Sequence, residues 1–542
     1  MAEKKRDWKF GIIATIAFAL IFLLYCSTIN PELSDLSGDS TLYMMLAKSI
    51  SQGGGYRDIE NPVEPPHIEM MPGLPLLISA VNYFDPDYLR PLKLLMVIFA
   101  FGAVISFYLF LFREPGSARI ALALLFALIP FLISFQTEIL SDLPHLFFLL
   151  LGFYFFEKSR SQNSPGILHW ILTGLLLAAA FYFRQLAAIA FASGIFIILL
   201  SKNLRRINIV FGFGLGFLLP ASLWYVRNFM IAGSLEPIYG SKFRTGHLGN
   251  PFSATLTLGG MIFRIFKRIW FYNLRLEKAI LLAPHWRGLH VVWIILLIFF
   301  LIGLGYELIK PKNIAAIFYV PYLVVISGYG IWAPRYLLPL LPLSLYFIFR
   351  GLEFALGIVL RKKLAGQMIA AGIIFLWLIC NLAETREIVA FQHSPKFYPT
   401  AQLMGNEQEA VALIGRKNFA YYPDAFEWKK KGPEYLLAKE AAYYHFFAMA
   451  EWAKKNLRAE DVVVCRKPTL FAWQSEGKSM QYPPELDVDQ FLDEVKKRGG
   501  GYILIEEISP ELRPILFSFW KNRPERLKLV KQIGDTFLLS LQ

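Results

Sequence analysis

About eleven apolar stretches, most near the 17–25 residues that a bilayer crossing requires, constrain this chain more than any other feature. They lie at 10–28, 92–112, 119–136, 142–157, 167–183, 185–201, 207–226, 289–309, 313–332, 336–350 and 366–383. The fourth and tenth are short, and Arg184 alone separates the fifth from the sixth. A segment inside lipid must satisfy its own backbone hydrogen bonds, so these stretches are expected as helices. Of the 542 residues, 56% are hydrophobic and 18% charged, less charge than a soluble protein of this size carries. The expected fold class is mainly α, a polytopic membrane helix bundle. Its first stretch follows Lys4, Lys5, Arg6 and Lys9 like a signal segment. It is too long for one and lacks a small-residue cleavage site, so an uncleaved first span is expected.

Basic residues orient the bundle. With the N-terminus in the cytoplasm, the inside turns hold Lys4/Lys5/Arg6, Arg113/Arg119, Lys158/Arg160, Lys202/Arg205/Arg206, Lys310/Lys312 and Arg361/Lys362/Lys363. Every inside turn is basic, as positive-inside topology demands. The net charge of +14 is therefore a membrane signature, with lipids rather than nucleic acid as partners. An odd number of spans leaves the C-terminal tail extracytoplasmic, and the expected location is the plasma (inner) membrane. Cys26, Cys380 and Cys465 lie far apart and form no disulfide or CxxC pattern.

Two domains follow from composition: a transmembrane domain over 1–383 and a soluble one over 384–542. The first outer loop, 29–91, opens with an amphipathic stretch from Leu42 to Ile50 that reads as an interfacial helix. Its prolines at 62, 65, 66, 72 and 75 forbid a long helix, and the run Leu74 to Phe84 is expected as a second interfacial one. The long outer loop, 233–288, holds a helix from Met261 to Leu282. Arg264, Lys267, Arg268, Arg275 and Lys278 fall within about 100° on one side of it, which suits docking on anionic headgroups or a lid over a lipid phosphate. Past Glu384 the sequence spells a small extracytoplasmic α/β domain. It has a helix near Tyr443–Asn456, strands at Val462–Val464 and Tyr502–Ile505, and a helix capped by Asp487. A further helix begins at Ser509-Pro510, and a hairpin turns at Gly534-Asp535.

Ionisable residues are scarce at mid-span, which disfavours a proton or ion path. They gather at the outer rim: Asp39, Glu138 and Asp142, with Arg184, Arg227 and Arg335. Each arginine alone reads as an interfacial anchor. Three at one level, against the inward bias of basic residues, suit a lipid phosphate, because guanidinium binds phosphate bidentately. Asp39 and Asp142 also read as helix N-caps, and both alternatives stand.

The pattern resembles the C-type membrane glycosyltransferases that use polyprenyl-phosphate sugars, in particular the protein O-mannosyltransferase and aminoarabinose transferase branch. The resemblance rests on Gly38-Asp39, Met71-Pro72-Gly73-Leu74-Pro75-Leu76-Leu77, Ser141-Asp142, Phe183-Arg184, Arg227-Asn228 and Arg335-Tyr336-Leu337-Leu338-Pro339. It implies transfer of a sugar from a polyprenyl-phosphate donor to a hydroxyl on a lipid, polysaccharide or protein acceptor, with inversion. It further implies Asp39 as base, Asp142 and Glu138 orienting the acceptor or a metal, and the three arginines on the donor phosphate. His67 and Glu69 are candidates for the same cavity. Such enzymes often carry a second acid beside the first-loop aspartate. Here the neighbours are Gly38 and Ser40, so no metal site is assigned in that loop and a divalent cation is left as an option. The rival functions are a transporter or flippase of lipid-linked sugars and an oligosaccharide polymerase or ligase.

Overall fold

The computed structural model describes residues 2–29, 38–84, 89–162, 166–201, 207–234, 241–245, 255–281, 289–309, 313–331, 333–361, 363–392, 433–485, 487–508 and 511–542. The expected basic turns at Lys202, Arg205, Arg206, Lys310, Lys312 and Lys362, and the helix start at Ser509-Pro510, lie outside them.

The protein is a mainly helical multi-pass membrane protein. Helices α1 (Ala2–Ser27), α2 (Asp39–Ser51), α3 (Gly73–Phe84), α4 (Leu89–Phe110), α5 (Gly116–Ala127), α6 (Pro130–Phe135) and α7 (Asp142–Ser161) open the chain. Then come α8 (Ile167–Phe183), α9 (Ala187–Leu200), α10 (Ile207–Ala232), α11 (Leu258–Leu281), α12 (Leu289–Ile309), α13 (Ile314–Gly328), α14 (Leu340–Leu360) and α15 (Lys363–Gln392). Each expected span meets a helix. By length and composition, five described helices are long and apolar enough to cross a membrane, in α4, α10, α12, α14 and α15, and others are shorter apolar helices.

Three boundaries differ from expectation. The stretch 119–136 is two helices, broken at Leu128-Ile129, where Ile129 is extended and Pro130 begins α6; proline holds the residue before it out of helical geometry. The tenth span begins as a short 3-10 helix, Pro334–Leu337, and α14 then runs to Leu360. The composition change at Glu384 falls inside α15, which continues to Gln392.

Packing within the bundle pairs α4 with α7, α8 with α10, and α12 with α14. At the last crossing Gly303 and Gly351 bring two backbones into contact. A Cβ on Gly303 would strike the Phe347 carbonyl, and one on Gly351 the Phe299 carbonyl. Lipid offers no hydrophobic drive between helices, so association rests on this close approach. One end of the bundle is tied by a charge network that the sequence did not disclose. Arg350 pairs with Glu307 at 2.7 Å, with Glu353, and with Glu114 at 3.5 Å. Beside it, Glu157 takes Arg113 at 3.0 Å and Arg160 at 2.8 Å and accepts the Ile314 N–H at 3.0 Å.

The helix α11 overturns the expected headgroup-docking face. Arg264 donates to the Thr245 and Phe243 carbonyls, and Arg268 to Tyr329 and Gly330. Arg264 and Arg275 are buried, while Phe263, Phe266 and Trp270 are exposed. Most of the basic stripe thus faces the protein, because unpaired carbonyls nearby satisfy guanidinium donors, and the apolar face turns to lipid. Of its basic residues whose side chains are described, Lys267 is the exposed one.

The C-terminal domain comprises α16 (Pro433–Asn456), β1 (Val462–Val464), α17 (Pro468–Ser475), β2 (Lys478–Met480), α18 (Val488–Lys497), β3 (Tyr502–Ile505), α19 (Arg513–Asn522), β4 (Leu527–Ile533) and β5 (Thr536–Leu541). The strand order is β2-β1-β3-β5-β4, with β1 parallel to β2 and β3, and β3 antiparallel to β5. Alternation sends Val463 and Leu504 towards Phe446 and Phe471, and Val462, Val464 and Ile503 towards Phe491 and Phe519. The result is helices on both faces of one sheet. The domain rests on the first long loop: the Ser479 N–H donates to the Glu60 carbonyl at 2.9 Å, and Lys478 pairs with Glu64 at 2.7 Å.

Candidate functional site

Gly38 sits in the left-handed region at φ 90° and is the N-cap of α2, with no side-chain cap bond. Asp39 is thus the first helical residue, and the capping alternative does not hold for it. Its carboxylate instead pairs with Arg335, delivered by the 3-10 turn Pro334–Leu337. Proline at the head of that turn suits its missing N–H to a helix start. The pair is partly open, with side-chain exposures of 23% for Asp39 and 14% for Arg335.

A second acid–arginine pair stands beside the first. Asp142 occupies the first turn of α7 and takes Arg184 at 3.0 Å. Arg184 is extended in the three-residue break between α8 and α9, which lets its guanidinium leave the bundle wall. Its Nε reaches Ser141 Oγ at 3.4 Å, and Ser141 Oγ lies 2.9 Å from the Tyr43 hydroxyl on α2. The Tyr336 ring joins the two pairs, with the Arg184 guanidinium carbon 5.0 Å and that of Arg335 5.9 Å from its centre. Ser40 closes the frame by donating to the Ile139 carbonyl at 3.0 Å. The arrangement brings Asp39, Asp142, Arg184 and Arg335 together: two carboxylates and two guanidiniums around one aromatic ring. Tyr329 feels the charges of Glu69, Arg184 and Asp39, which puts Glu69 near the same rim. Glu138 is buried in the turn before α7.

Arg227 and His67 take another role. Arg227 donates to the His67 carbonyl at 2.9 Å and to Asn228 Oδ1 at 2.8 Å, over the rings of Tyr56 and Trp224. Asn228 donates to the Ile68 carbonyl at 2.9 Å. None of its described contacts joins Arg227 to the Asp39–Arg335 cluster. His67 accepts the Met70 N–H on Nε2 at 2.8 Å, so Nδ1 carries the proton and donates to Asp58 at 2.6 Å. Both ring nitrogens are engaged and the side chain is buried. His67 folds the loop, and Arg227 clamps that loop to α10.

Sequence reasoning passed over four residues here. Tyr336 and Tyr43 stood in quoted motifs only as neighbours of charged groups. His145, one turn beyond Asp142, donates Nδ1–H to the Ala180 carbonyl at 3.1 Å and buries an Nε2 that no described residue meets. Lys93, near the start of α4, is 1% exposed, a burial that lysine rarely tolerates without partners. An ionisable residue at a span end was the available signal for both.

Among the described residues no three His, Cys, Asp or Glu side chains stand grouped to hold a metal ion. Asp39 and Asp142 are each matched by a guanidinium instead. That donor set suits an anion: a phosphate entering between the arginines meets two planar forks already aimed.

No protein-family model and no curated protein matches the sequence. Solved structures share its fold. ArnT from Cupriavidus metallidurans bound to undecaprenyl phosphate superposes with a TM-score of 0.51 at 12% identity, covering 98% of each chain. The same protein in the apo state gives 0.52 at 11% identity, covering 100% of this chain and 98% of that one. An oligosaccharyltransferase from Archaeoglobus fulgidus in complex with Zn and sulfate gives 0.51 at 12% identity, over 90% of this chain and 67% of that one. The chain has the C-type glycosyltransferase fold, a membrane helix bundle with a small C-terminal sheet.

Proposed function

We propose that this protein is a membrane glycosyltransferase that moves a sugar from a polyprenyl-phosphate donor to an acceptor hydroxyl, with inversion at the anomeric carbon. The observation that carries this is the double acid–arginine pair around Tyr336, at one end of a fold shared with a protein whose structure holds undecaprenyl phosphate. The site residues keep their sequence-derived roles with one division. Arg184 and Arg335 hold the donor phosphate, while Arg227 supports the loop over it.

In the free enzyme each arginine is held by its carboxylate. Arriving phosphate replaces Asp39 on Arg335 and shares Arg184 with Asp142. Asp39, freed from its guanidinium, is left to face the acceptor hydroxyl. It takes the acceptor hydroxyl proton as that oxygen attacks the anomeric carbon. The carbon–oxygen bond to phosphate breaks, and the electron pair leaves with the polyprenyl phosphate. Arg184 and Arg335 meet the charge that develops on the leaving oxygen, a contribution of about 10²–10³ in rate for each such donor. Asp142, and Glu138 behind it, orient the acceptor. Glu69 stands at the rim.

The donor arrives on lipid because nucleotide sugars are confined to the cytoplasm, and the basic turns favour an extracytoplasmic site with the C-terminal domain on the same side. The transporter alternative asks for polar groups at mid-span. In the described helices the ion pairs that stand out lie at Asp39, Asp142 and their arginines, and around Arg350 at α14. The test is purified protein with a panel of polyprenyl-phosphate sugars, scored by mass spectrometry of glycosylated products and by the anomeric configuration formed. Movement of the intact donor across a vesicle membrane without transfer would reject the proposal.

A further inference from the structure

A cavity of about 490 Å³ lies where the first long loop meets the C-terminal domain. Asn61, Val63 and Pro65 line it from the loop. Met480, Gln481, Tyr482 and Arg498 line it from the domain. The size falls inside the range of about 300–1,000 Å³ that small-molecule sites occupy. Between it and Asp39 stands the first turn of α17, whose Thr469 donates to the Gly38 carbonyl at 3.4 Å. Ser479 Oγ donates to the Pro468 carbonyl at 2.6 Å, so the end of β2 that lines the cavity returns beside the same first turn of α17 that meets Gly38.

The polar groups at this cavity have capacity to give. Asn61 uses Oδ1 to accept the Val63 N–H at 3.0 Å, which leaves its NH₂. The Gln481 carboxamide is exposed and meets no hydrogen-bond partner among the described residues. Arg498 commits only Nε, to Glu494 at 2.7 Å, and keeps both terminal nitrogens. Glu494 is shared with Lys497 at 3.3 Å, so two cations face one acid and the rim stays net positive. Val63, Pro65 and Met480 supply an apolar surface, whereas the Tyr482 hydroxyl is engaged by the Leu504 carbonyl.

Amide donors for hydroxyls, an apolar patch for a C–H face and a guanidinium with a free fork describe one ligand chemistry. We propose that this cavity binds an acidic sugar, a residue bearing a carboxylate or a phosphate, and that it is an acceptor subsite set back from Asp39. The subsite role rests on the glycosyltransferase function above; the binding of an acidic sugar does not. The guanidinium selects the anionic group bidentately, and the two carboxamides read neighbouring hydroxyls.

The experiment uses the full chain in lipid nanodiscs and ligand-observed saturation-transfer NMR. D-glucuronic acid, glucose 6-phosphate, glucose and inorganic phosphate are the probes. The two acidic sugars should bind about ten-fold more tightly than glucose, as expected for one added charged hydrogen bond. Arg498→Gln should remove that preference and leave glucose binding unchanged. Val63→Trp, at an exposed rim position, should block all three sugars. Equal binding of glucuronic acid and glucose would overturn the proposal, as would unchanged binding to both variants. Inorganic phosphate displacing both acidic sugars while glucose fails to compete would make this an anion site without sugar recognition, and would overturn it too. In parallel, Arg498→Gln should raise the acceptor KM for transfer to an acidic sugar about ten-fold. A wild-type protein that binds acidic sugars but transfers to no acceptor would refute the enzymatic function and leave the site standing.

Discussion

Asp39→Asn separates a base from an anchor, and the pairing with Arg335 makes the separation sharper. Asparagine keeps an oxygen that accepts from guanidinium, so Arg335 retains a partner. What disappears is the negative charge and the ability to take a proton. A general base contributes about 10²–10⁴ in rate, or roughly 3–5 kcal/mol of barrier. A pair that is 23% and 14% exposed stands between the surface case, worth about 0–1 kcal/mol, and the buried case, where losing one partner costs about 3–5 kcal/mol. Magnitude alone therefore overlaps at the upper end. The double variant decides.

Suppose Asp39 only holds Arg335. Then Asp39→Asn acts by misplacing the arginine, and once Arg335→Gln has removed that arginine the second change adds nothing. If Asp39 is the base, Arg335→Gln lowers transfer by about 10²–10³ through the leaving group. Adding Asp39→Asn then lowers it at least ten-fold further, because two different events in the transition state are affected. The assay is single-turnover transfer from radiolabelled polyprenyl-phosphate sugar with enzyme in excess, alongside donor binding. A double variant as active as Arg335→Gln alone would refute the assignment of Asp39 as base.

Arg184→Lys should cut transfer about ten-fold or more, since ammonium cannot present a bidentate fork, whereas Arg227→Ala should lower the melting temperature and leave donor affinity within about three-fold; donor titration and a melting curve on the same preparations check both. Burial, with Asp58 alongside, pushes the Glu60 carboxyl up to about 7 from 4.5. Its neutral form is favoured only in the folded chain, so the stability it contributes is full below pH 4.5 and is lost as pH rises through 7. The difference is about 3 kcal/mol, and Glu60→Gln should raise the melting temperature at pH 8 far more than at pH 5. Gly303→Leu should separate α12 from α14 and lower the yield of folded protein in detergent, with Gly305→Leu, which meets open space, as the silent control. In a cysteine-free background, Ser518→Cys should react with an impermeant maleimide from outside spheroplasts and Arg361→Cys should not; equal labelling of the two would refute the topology.

The bundle and the charged end were legible because lipid leaves few choices. A long apolar run must be a helix, and a charge beside it must find water or a partner. Asp39, Asp142, Arg184 and Arg335 could therefore be singled out, but not joined into pairs: Asp39 and Arg335 stand 296 residues apart. The same reasoning gave no sight of the loop contacts that Arg227 and His67 make. A guanidinium at that level is satisfied as readily by backbone carbonyls of a proline-broken loop as by phosphate, and nothing in Arg227-Asn228 tells the two apart. The face of α11 was misjudged for a related reason. Amphipathic spacing reports two faces but not which one meets lipid, and the carbonyls at Phe243, Thr245, Tyr329 and Gly330 that draw its arginines inward belong to distant segments. In the C-terminal sheet β2 was missed because Lys478-Ser479-Met480 is a three-residue edge strand without apolar alternation.

The two charged ends of the bundle differ in a way that bears on function. Around Arg350, every acid is nearly sealed: Glu114, Glu307 and Glu353 are 5%, 2% and 6% exposed, and Glu157 beside them is 2%. Breaking such a network leaves a charge with no water to receive it, so it holds α12 and α14 in fixed relation. Around Tyr336 the pairing is the same in kind but one member, Asp39, reaches solvent. A carboxylate that water can receive is one that an incoming anion can displace. The difference in burial, rather than in residue type, makes one end a fastening and the other a site. It follows that sealing Asp39 should arrest the enzyme with its arginines occupied. Thr469→Trp on α17, against Gly38, is the substitution that tests this. It should weaken donor binding about ten-fold or more while Asp39 and Arg335 stay in place. Donor binding as tight as in the wild type would mean that exchange of Asp39 for phosphate is not part of the cycle.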